Sequence, residues 1–180
     1  KKLLPRGVKK GDVVIGLASS GLHSNGYSLV RHIVASKNLS YAARAPFSSK
    51  ESLGDVLLQP TRIYVKSALA AIRTGGVHAL AHITGGGLVE NLPRILPGVL
   101  AAWIELGSWE TPPVFKWLKD LGGMHDAEMW RTFNCGIGMA LVVDKKQAKK
   151  VIAALKKSGE RVFVIGEIVP RKGKAVIMHG

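Results

Sequence analysis

The chain has 180 residues, 47% hydrophobic and 21% charged, and its 26 lysine and arginine residues against 12 acidic residues give a formal net charge of +14. This composition excludes a disordered chain, a collagen-like repeat and a coiled coil, and the length fits one domain. The charge suggests a nucleic-acid or membrane-surface binder, but residues 11–143 carry a net charge of only +2. Because the basic ends contain a single aromatic residue, we expect no nucleic-acid partner.

The single cysteine, Cys135, excludes an internal disulfide framework and a thiolate zinc site. The longest apolar run has about seven residues, whereas a membrane-spanning helix needs ~20, and no apolar segment follows the first lysines as in a signal peptide. We therefore expect a cytoplasmic protein that binds no membrane and has no metal site of its own. The start at Lys1 instead of Met indicates a processed chain or a piece of a larger protein.

The first part of the chain alternates an apolar run with a helical period. Residues 13–19 are predicted to form a buried strand, and residues 24–38 a helix with Ser24 or Asn25 as its N-cap. Residues 40–56 are rich in serine, alanine, proline and glycine, which predicts a loop.

The next elements are a helix, a strand and a glycine turn. The helix is predicted to start at Pro60 and to stop at the glycine pair 75–76. A strand over residues 78–84 and three glycines at 85–87 follow, and then a short apolar helix interrupted by Pro93. The residues that the helix from Pro60 is predicted to bury are Val65, Leu69 and Ile72.

The second half of the chain continues the alternation of strands and helices. This pattern predicts an α/β or α+β class, with one sheet and helices packed on it. The predicted elements are, in order, a strand over 99–106, a helix from Pro113 to Gly122, a short helix over 126–131 capped by Asp126, a strand over 137–143, a helix capped by Asp144 and ended by Gly159, and strands over 162–169 and 175–178.

Polar side chains crowd the turn between the first predicted strand and helix. A helix cap needs one such side chain, so their number favours a ligand-binding corner over capping with a surface histidine. Gly21 allows the turn that brings them together. These side chains are Ser19, Ser20, His23, Ser24 and Asn25.

The glycines at 85–87 let the backbone approach a ligand, but a plain turn fits the pattern equally well. No Gly-Lys-Ser/Thr follows them, so they are not a Walker A loop. His78 and His82 lie four residues apart on a strand, ~13 Å, and are therefore not a metal pair. We interpret His82 as a hydrogen-bonded core residue.

Cys135 lies in a polar turn before a predicted strand, between Asn134 and Gly136. We interpret it as a packed or pocket-wall residue, with a nucleophile as the alternative, because a catalytic cysteine needs a nearby base and an electropositive pocket, and a sequence alone shows neither. The lysines of the last helix avoid its four apolar positions. They are interpreted as a solvated face, with a partner surface or a nucleic-acid contact as alternatives.

Six short sequence motifs, spread over residues 11–169, occur in the same order as in a known protein family. They closely resemble the aminoimidazole ribonucleotide (AIR) synthetase family, phosphoribosylformylglycinamidine cyclo-ligase of purine biosynthesis. RTFNCG and PTRIY resemble the cyclo-ligase more than its superfamily relatives. The motifs are SSGLHSNGYSLVR, QPTRIYVKS, HITGGGLVENLPRILP, SWETPPVFKWL, EMWRTFNCGIGM and VIGEIV.

The resemblance implies an α+β fold of the α/β layered kind, with a mixed sheet of about six strands packed with helices. It implies a ligase in which ATP, with magnesium, phosphorylates the formamide oxygen of formylglycinamidine ribonucleotide. The amidine nitrogen then attacks the activated carbon, phosphate leaves and the imidazole ring of aminoimidazole ribonucleotide closes. The complete enzyme is expected to be a homodimer.

Roles for individual residues are also implied by the resemblance. His23 and Asn25 would act in catalysis, with His23 polarising the substrate or moving a proton. Arg62 and Arg94 are possible phosphate partners, with structural ion pairs as the alternative. The residues implied to bind substrate are Ser19, Ser20, Gly21, Ser24, Asn134 and Gly136, and those implied to cradle a phosphate are Thr84, Gly85, Gly86 and Gly87.

The resemblance covers only the second of the family's two domains. No aspartate-rich nucleotide and magnesium segment occurs in the sequence. We therefore expect residues 1–10 to be a linker from a missing N-terminal ATP-binding domain, residues 11–180 to form the C-terminal domain, and this chain alone to be inactive. Two alternatives stay open: another ATP-using relative (formylglycinamidine ribonucleotide synthetase, thiamine-phosphate kinase or selenophosphate synthetase), or a basic nucleic-acid-binding domain.

Overall fold

A computed structural model describes residues 5–180, in which six strands and seven α-helices form one unit. The strands are β1 (Val13–Ala18), β2 (Val77–His82), β3 (Leu100–Glu105), β4 (Ile137–Val143), β5 (Val162–Pro170) and β6 (Val176–His179). The helices are α1 (Tyr27–Ser36), α2 (Leu53–Leu57), α3 (Val65–Arg73), α4 (Gly87–Asn91), α5 (Pro113–Gly122), α6 (Asp126–Thr132) and α7 (Ala148–Lys157). Short 3-10 turns follow at Leu92–Ile95 and Leu106–Ser108.

The six strands form a single mixed sheet in the order β2-β4-β1-β5-β3-β6. Neighbouring strands are antiparallel except β3 and β6, which are parallel. The first strand lies inside the sheet, where Val13 is opposite Val143 of β4 and Glu167 of β5. The prediction of an α+β fold around a mixed sheet of about six strands is confirmed.

Both faces of the sheet are covered, and a third apolar cluster lies beyond the strand ends. Helices α3 and α7 pack on one face, and α4 with the turn after it packs on the other. Helices α1, α2, α5 and α6 bury their apolar sides mainly against one another. Representative residues of the three clusters are Ile15 with Leu155, Val14 with Leu92, and Ile33 with Leu118.

Helix α1 begins at Tyr27, later than predicted, and neither Ser24 nor Asn25 is its N-cap. Gly26 is the capping residue, with a φ of 71°. A Cβ on Gly26 would overlap the ring of Phe133, so glycine meets both a backbone and a packing requirement there. The Asn25 side chain instead turns toward the loop after β2, which removes it from capping.

Helix α3 begins at Val65 instead of Pro60, and its predicted buried face is wrong at Val65 and Leu69, whereas Ile72 is partly buried. Val65 is 62% exposed and Leu69 45% exposed, whereas the residues that α3 buries are Ser67 and Ala71. Small side chains allow α3 to lie close to α7, while Ile72 is partly buried against the same apolar cluster. Within the predicted 40–56 loop, the Ser52 side chain caps the short helix α2 by accepting from the Asp55 amide at 3.1 Å.

The segment before β1 lies along the edge of the sheet. The Arg6 amide donates to the carbonyl of His78 in the edge strand β2 at 2.8 Å, and Lys9 Nζ pairs with Asp144 at 2.8 Å. The predicted linker begins with residues 1–4, which lie outside the described residues, and the linker stays a prediction. Between residues 5 and 180, no helix has both the length and the apolar character needed to cross a bilayer.

Candidate functional site

The three polar segments singled out in the sequence meet at one end of the sheet. Because β4 runs antiparallel to β1 and β2, its first residues lie beside the last residues of both strands. The Asn134 side-chain amide donates to the carbonyls of Gly21 at 2.9 Å and Leu22 at 3.2 Å, and the Asn25 amide points to the Ile83 carbonyl at 3.5 Å. Residues 19–25, 83–87 and 134–136 are called the candidate site below.

His23 is buried at this corner, with 4% of its surface exposed. Its Nε2 accepts a hydrogen bond from the Ser20 amide at 3.1 Å and faces the Arg62 amide at 3.5 Å. A backbone amide can only donate, so Nε2 is the acceptor and the proton of the neutral ring lies on Nδ1. Among the described residues this buried Nδ1 has no hydrogen-bond partner, which leaves one donor of the candidate site unused.

Burial lowers the pKa of His23 from 6.5 to about 4, and the nearby His82 and Arg62 add to the lowering. The ring is therefore neutral at pH 7. A neutral ring can polarise a bound oxygen by donating from Nδ1, but it is not an imidazolium acid.

This shift predicts a pH dependence of stability. The unfolded chain takes up a proton at His23 near pH 6.5 and the folded chain only near pH 4, so the stabilisation is complete above pH 6.5 and is lost as the pH falls toward 4. We expect a loss of about 3 kcal/mol in the free energy of unfolding. Urea titrations of the chain and of His23→Gln at pH 7 and pH 4 measure it, and equal losses in both proteins would contradict it.

Three aromatic rings form a cluster below the turn. The ring centroids of His23, Tyr64 and His82 lie 6.2–6.3 Å apart. The Tyr64 hydroxyl donates to the Ala18 carbonyl at 2.7 Å, and burial raises the pKa of this hydroxyl. A Cβ on Gly138 would overlap both the Tyr64 hydroxyl and the His23 ring, so glycine in β4 makes room for the cluster.

Asn91 in α4, for which the sequence predicts no role, holds the glycine loop in shape. Its side-chain amide donates to the carbonyls of Thr84, Gly85 and Gly87 at 2.8–3.3 Å, and its oxygen accepts from the Thr84 hydroxyl at 3.1 Å. A buried polar residue on a short apolar helix was the available signal. The amides of Gly85 and Gly86 have no protein acceptor among residues 5–180, so they can receive an anion.

Asn91→Leu should collapse this loop, because leucine has a similar volume but cannot satisfy three carbonyls. We expect the free energy of unfolding to fall by about 3 kcal/mol, the cost of leaving buried acceptors without donors. Denaturant titration measures the loss. Lys149→Leu, at an exposed residue of α7 far from the loop, is the control, and equal losses in the two variants would contradict the role of Asn91.

A pocket of about 490 Å³ opens beside the glycine loop. Arg131 pairs there with Glu90 at 3.4 Å, so the pocket presents both signs of charge. Its lining residues are Gly86, Glu90, Ala127, Glu128, Arg131 and Thr132.

The residues that the structure describes include no group of three or more His, Cys, Asp or Glu side chains placed to hold a metal ion. The loop amides fit a phosphate, and residues 5–180 offer no cluster of side chains that would hold a magnesium ion without further ligands such as phosphate oxygens.

Other singled-out residues lie as follows. Arg62 pairs with the buried Glu160 through Nε at 2.8 Å, which agrees with the structural ion-pair alternative. Arg94 borders a separate pocket of about 310 Å³ next to residues 5–8. Cys135 is buried, and burial raises the pKa of its thiol to about 12, in agreement with a packed residue.

The interpretation of His82 as a core residue is wrong, because His82 ends β2 with an exposed side chain. His78 instead is half-buried and lies 2.7 Å from the carboxylate of Asp12. Of the serines, Ser20 donates to the Pro60 carbonyl at 2.6 Å, Ser24 lies 3.4 Å from the Thr61 hydroxyl, and Ser19 has a buried hydroxyl with no partner among the described residues.

Comparison with known proteins finds relatives that are longer than this chain. The chain is 50% identical over 173 residues to the bifunctional purine biosynthetic protein purD of Dictyostelium discoideum. The matched region covers 95% of this chain and 21% of that protein. Thiamine-monophosphate kinase from Stenotrophomonas maltophilia shares the fold with a TM-score of 0.65 at 18% identity, over 99% of this chain and 53% of the kinase.

Two further solved structures share the fold. The hydrogenase maturation protein HypE of E. coli matches with a TM-score of 0.60 at 20% identity, over 99% of this chain and 49% of HypE. T. maritima PurL, complexed with AMPPCP, matches with a TM-score of 0.55 at 13% identity, over 96% of this chain and 24% of PurL. The family model described as AIR synthase related protein, C-terminal domain, matches residues 9–179, and the chain belongs to this family.

Proposed function

We propose that the chain is the substrate- and phosphate-binding C-terminal domain of an ATP-dependent cyclo-ligase that forms aminoimidazole ribonucleotide from formylglycinamidine ribonucleotide in cytoplasmic purine biosynthesis. The observation that carries the proposal is the meeting of residues 19–25, 83–87 and 134–136 at one corner. Each of these segments lies in one of the six motifs through which the sequence resembles the cyclo-ligase. The 50% identity to a purine biosynthetic protein supports it.

Two groups of residues in the chain bind the two ends of the substrate. The free amides of Gly85 and Gly86 bind a phosphate, and Asn91 keeps them aimed outward. His23, protonated on Nδ1, donates toward the formamide oxygen once the substrate reaches the turn. Ser19, Ser20, Gly21, Ser24 and Asn25 orient the amidine end, and Asn134 and Gly136 form the wall behind them.

ATP supplies the phosphoryl group that activates the formamide oxygen, and magnesium offsets its charge. Since residues 5–180 contain no cluster of three or more side chains placed to hold a metal ion, we propose that both bind mainly through an N-terminal domain of the same enzyme. The complete enzyme is proposed to be a homodimer. The part left to this chain is to bind, orient and polarise the substrate.

The proposal is tested by two measurements. The polypeptide expressed from the full reading frame should release ADP with formylglycinamidine ribonucleotide, and not with thiamine monophosphate or selenide. The 180-residue chain alone should bind formylglycinamidine ribonucleotide in calorimetry without releasing ADP. Faster ADP release with either other substrate, or robust release by the chain alone, would overturn the proposal.

A further inference from the structure

The segment between α2 and α3 lies against the His23 turn and the end of β1. Residues 60–64 form neither helix nor strand, and Ile63 is 82% exposed, so the packing of that side chain does not hold the segment. The Tyr64 ring is buried in the core and does hold it. Four polar contacts add to this. They are Ser20 Oγ to the Pro60 carbonyl at 2.6 Å, Ser24 Oγ to Thr61 Oγ1 at 3.4 Å, the Arg62 amide to His23 Nε2 at 3.5 Å, and the Tyr64 hydroxyl to the Ala18 carbonyl at 2.7 Å.

The other side of this segment is tied to the residues that follow α7. Arg62 Nε donates to one carboxylate oxygen of Glu160 at 2.8 Å, and Arg62 Nη2 donates to the Gly159 carbonyl at 3.0 Å. The second carboxylate oxygen accepts from the Ser67 hydroxyl at 2.7 Å. Glu160 is 8% exposed, and a carboxylate buried to this degree must be paired and hydrogen-bonded.

We propose that Glu160 and Arg62 are positioning residues, which fix residues 60–64 so that these hold the His23 turn in its binding geometry. Glu160 touches neither the turn nor the glycine loop, and it acts through the side chain of Arg62. The backbone amide of Arg62 then faces the acceptor nitrogen of His23. The inference rests on the proposed function only in taking this turn as the substrate site.

Glu160→Gln tests the inference in the 180-residue chain. Glutamine removes the negative charge that pairs with the Arg62 guanidinium and leaves it one neutral acceptor oxygen, while the Ser67 hydroxyl can still donate to the Tyr64 carbonyl at 2.9 Å. We expect the amides of Ser20 and Arg62 to exchange with deuterium about 10-fold faster, with the amides of β4 unchanged. Glu105→Gln is the matched control, since Glu105 pairs with His179 at the far edge of the sheet.

The ring nitrogens of His23 give a spectroscopic signature. In the unmodified chain their ¹⁵N shifts should show Nε2 as acceptor and Nδ1 as protonated, and in Glu160→Gln they should move toward a mixture of the two tautomers. Arg62→Gln combined with Glu160→Gln should exchange no faster than either single variant, because the two residues act as one unit.

Two results would overturn the inference. One is unchanged exchange at Ser20 and Arg62 in Glu160→Gln, and the other is an even acceleration across the sheet, which would indicate only lower global stability. Neither measurement needs turnover. A failure of ATP-dependent ring closure would therefore overturn the proposed function and leave this test intact.

Discussion

His23→Gln should lower kcat of the complete enzyme at least ~100-fold, the scale of losing one positioned proton donor. Glutamine places an oxygen near the position of Nε2, so the Ser20 amide keeps an acceptor. It has no group that replaces the Nδ1 proton. Alanine is a poorer test, because it would leave the Ser20 amide without a partner and a cavity in a buried turn. Steady-state ADP release measures the effect.

The matched control for this variant is His32→Gln, since His32 is exposed on α1. It should leave kcat unchanged. Calorimetric unfolding of both variants separates chemistry from folding, because His23→Gln should keep its melting temperature within a few degrees. Turnover within threefold of the unmodified enzyme would show that His23 takes no part in the reaction.

Gly138→Ala should disrupt the cluster of His23 and Tyr64 rings next to the candidate site. The added Cβ would overlap the Tyr64 hydroxyl and the His23 ring, and both rings are held by hydrogen bonds to the β1–α1 connection. We expect the free energy of unfolding to fall by about 3 kcal/mol, at the upper end of overpacking effects. Binding of formylglycinamidine ribonucleotide should be lost with it.

Gly107→Ala is the control for this variant, because no atom lies within 4 Å of a Cβ built on Gly107. Urea denaturation at pH 7 compares the two. If Gly138→Ala unfolds at the same urea concentration as Gly107→Ala, the packing of the His23 and Tyr64 rings against β4 is not as described.

The helices and strands whose hydrophobic pattern is clear in the local sequence were predicted well. Strand β4 covers the predicted residues 137–143 without a shift, because a continuous apolar run suits a strand buried on both faces. The start of helix α3 was predicted wrongly because proline at 60 is a good helix start locally, while tertiary contacts hold residues 60–64 outside the helix. Tertiary contacts of this kind override the helix propensity of the local sequence.

In the candidate site, too, features of the local sequence were predicted and those that depend on tertiary contacts were not. Its segments were found because each contains a cluster of polar residues or glycines in a short stretch. Asn91, Gly138 and Glu160 were missed as site residues, because their roles depend on partners outside such stretches. Arg62 and Glu160, for example, lie 98 residues apart, and only the folded chain brings them together.

The place of β1 in the sheet has a consequence for synthesis on the ribosome. Both neighbours of this strand, β4 and β5, come from residues 137–170. At bacterial and eukaryotic elongation rates, on the order of ten seconds pass before they emerge. Throughout that time Val14, Ile15 and Leu17 have no strand to pair with. The nascent chain is therefore expected to depend on chaperones that shield its first strand, and ribosome-bound chains stalled before residue 137 should be readily proteolysed there.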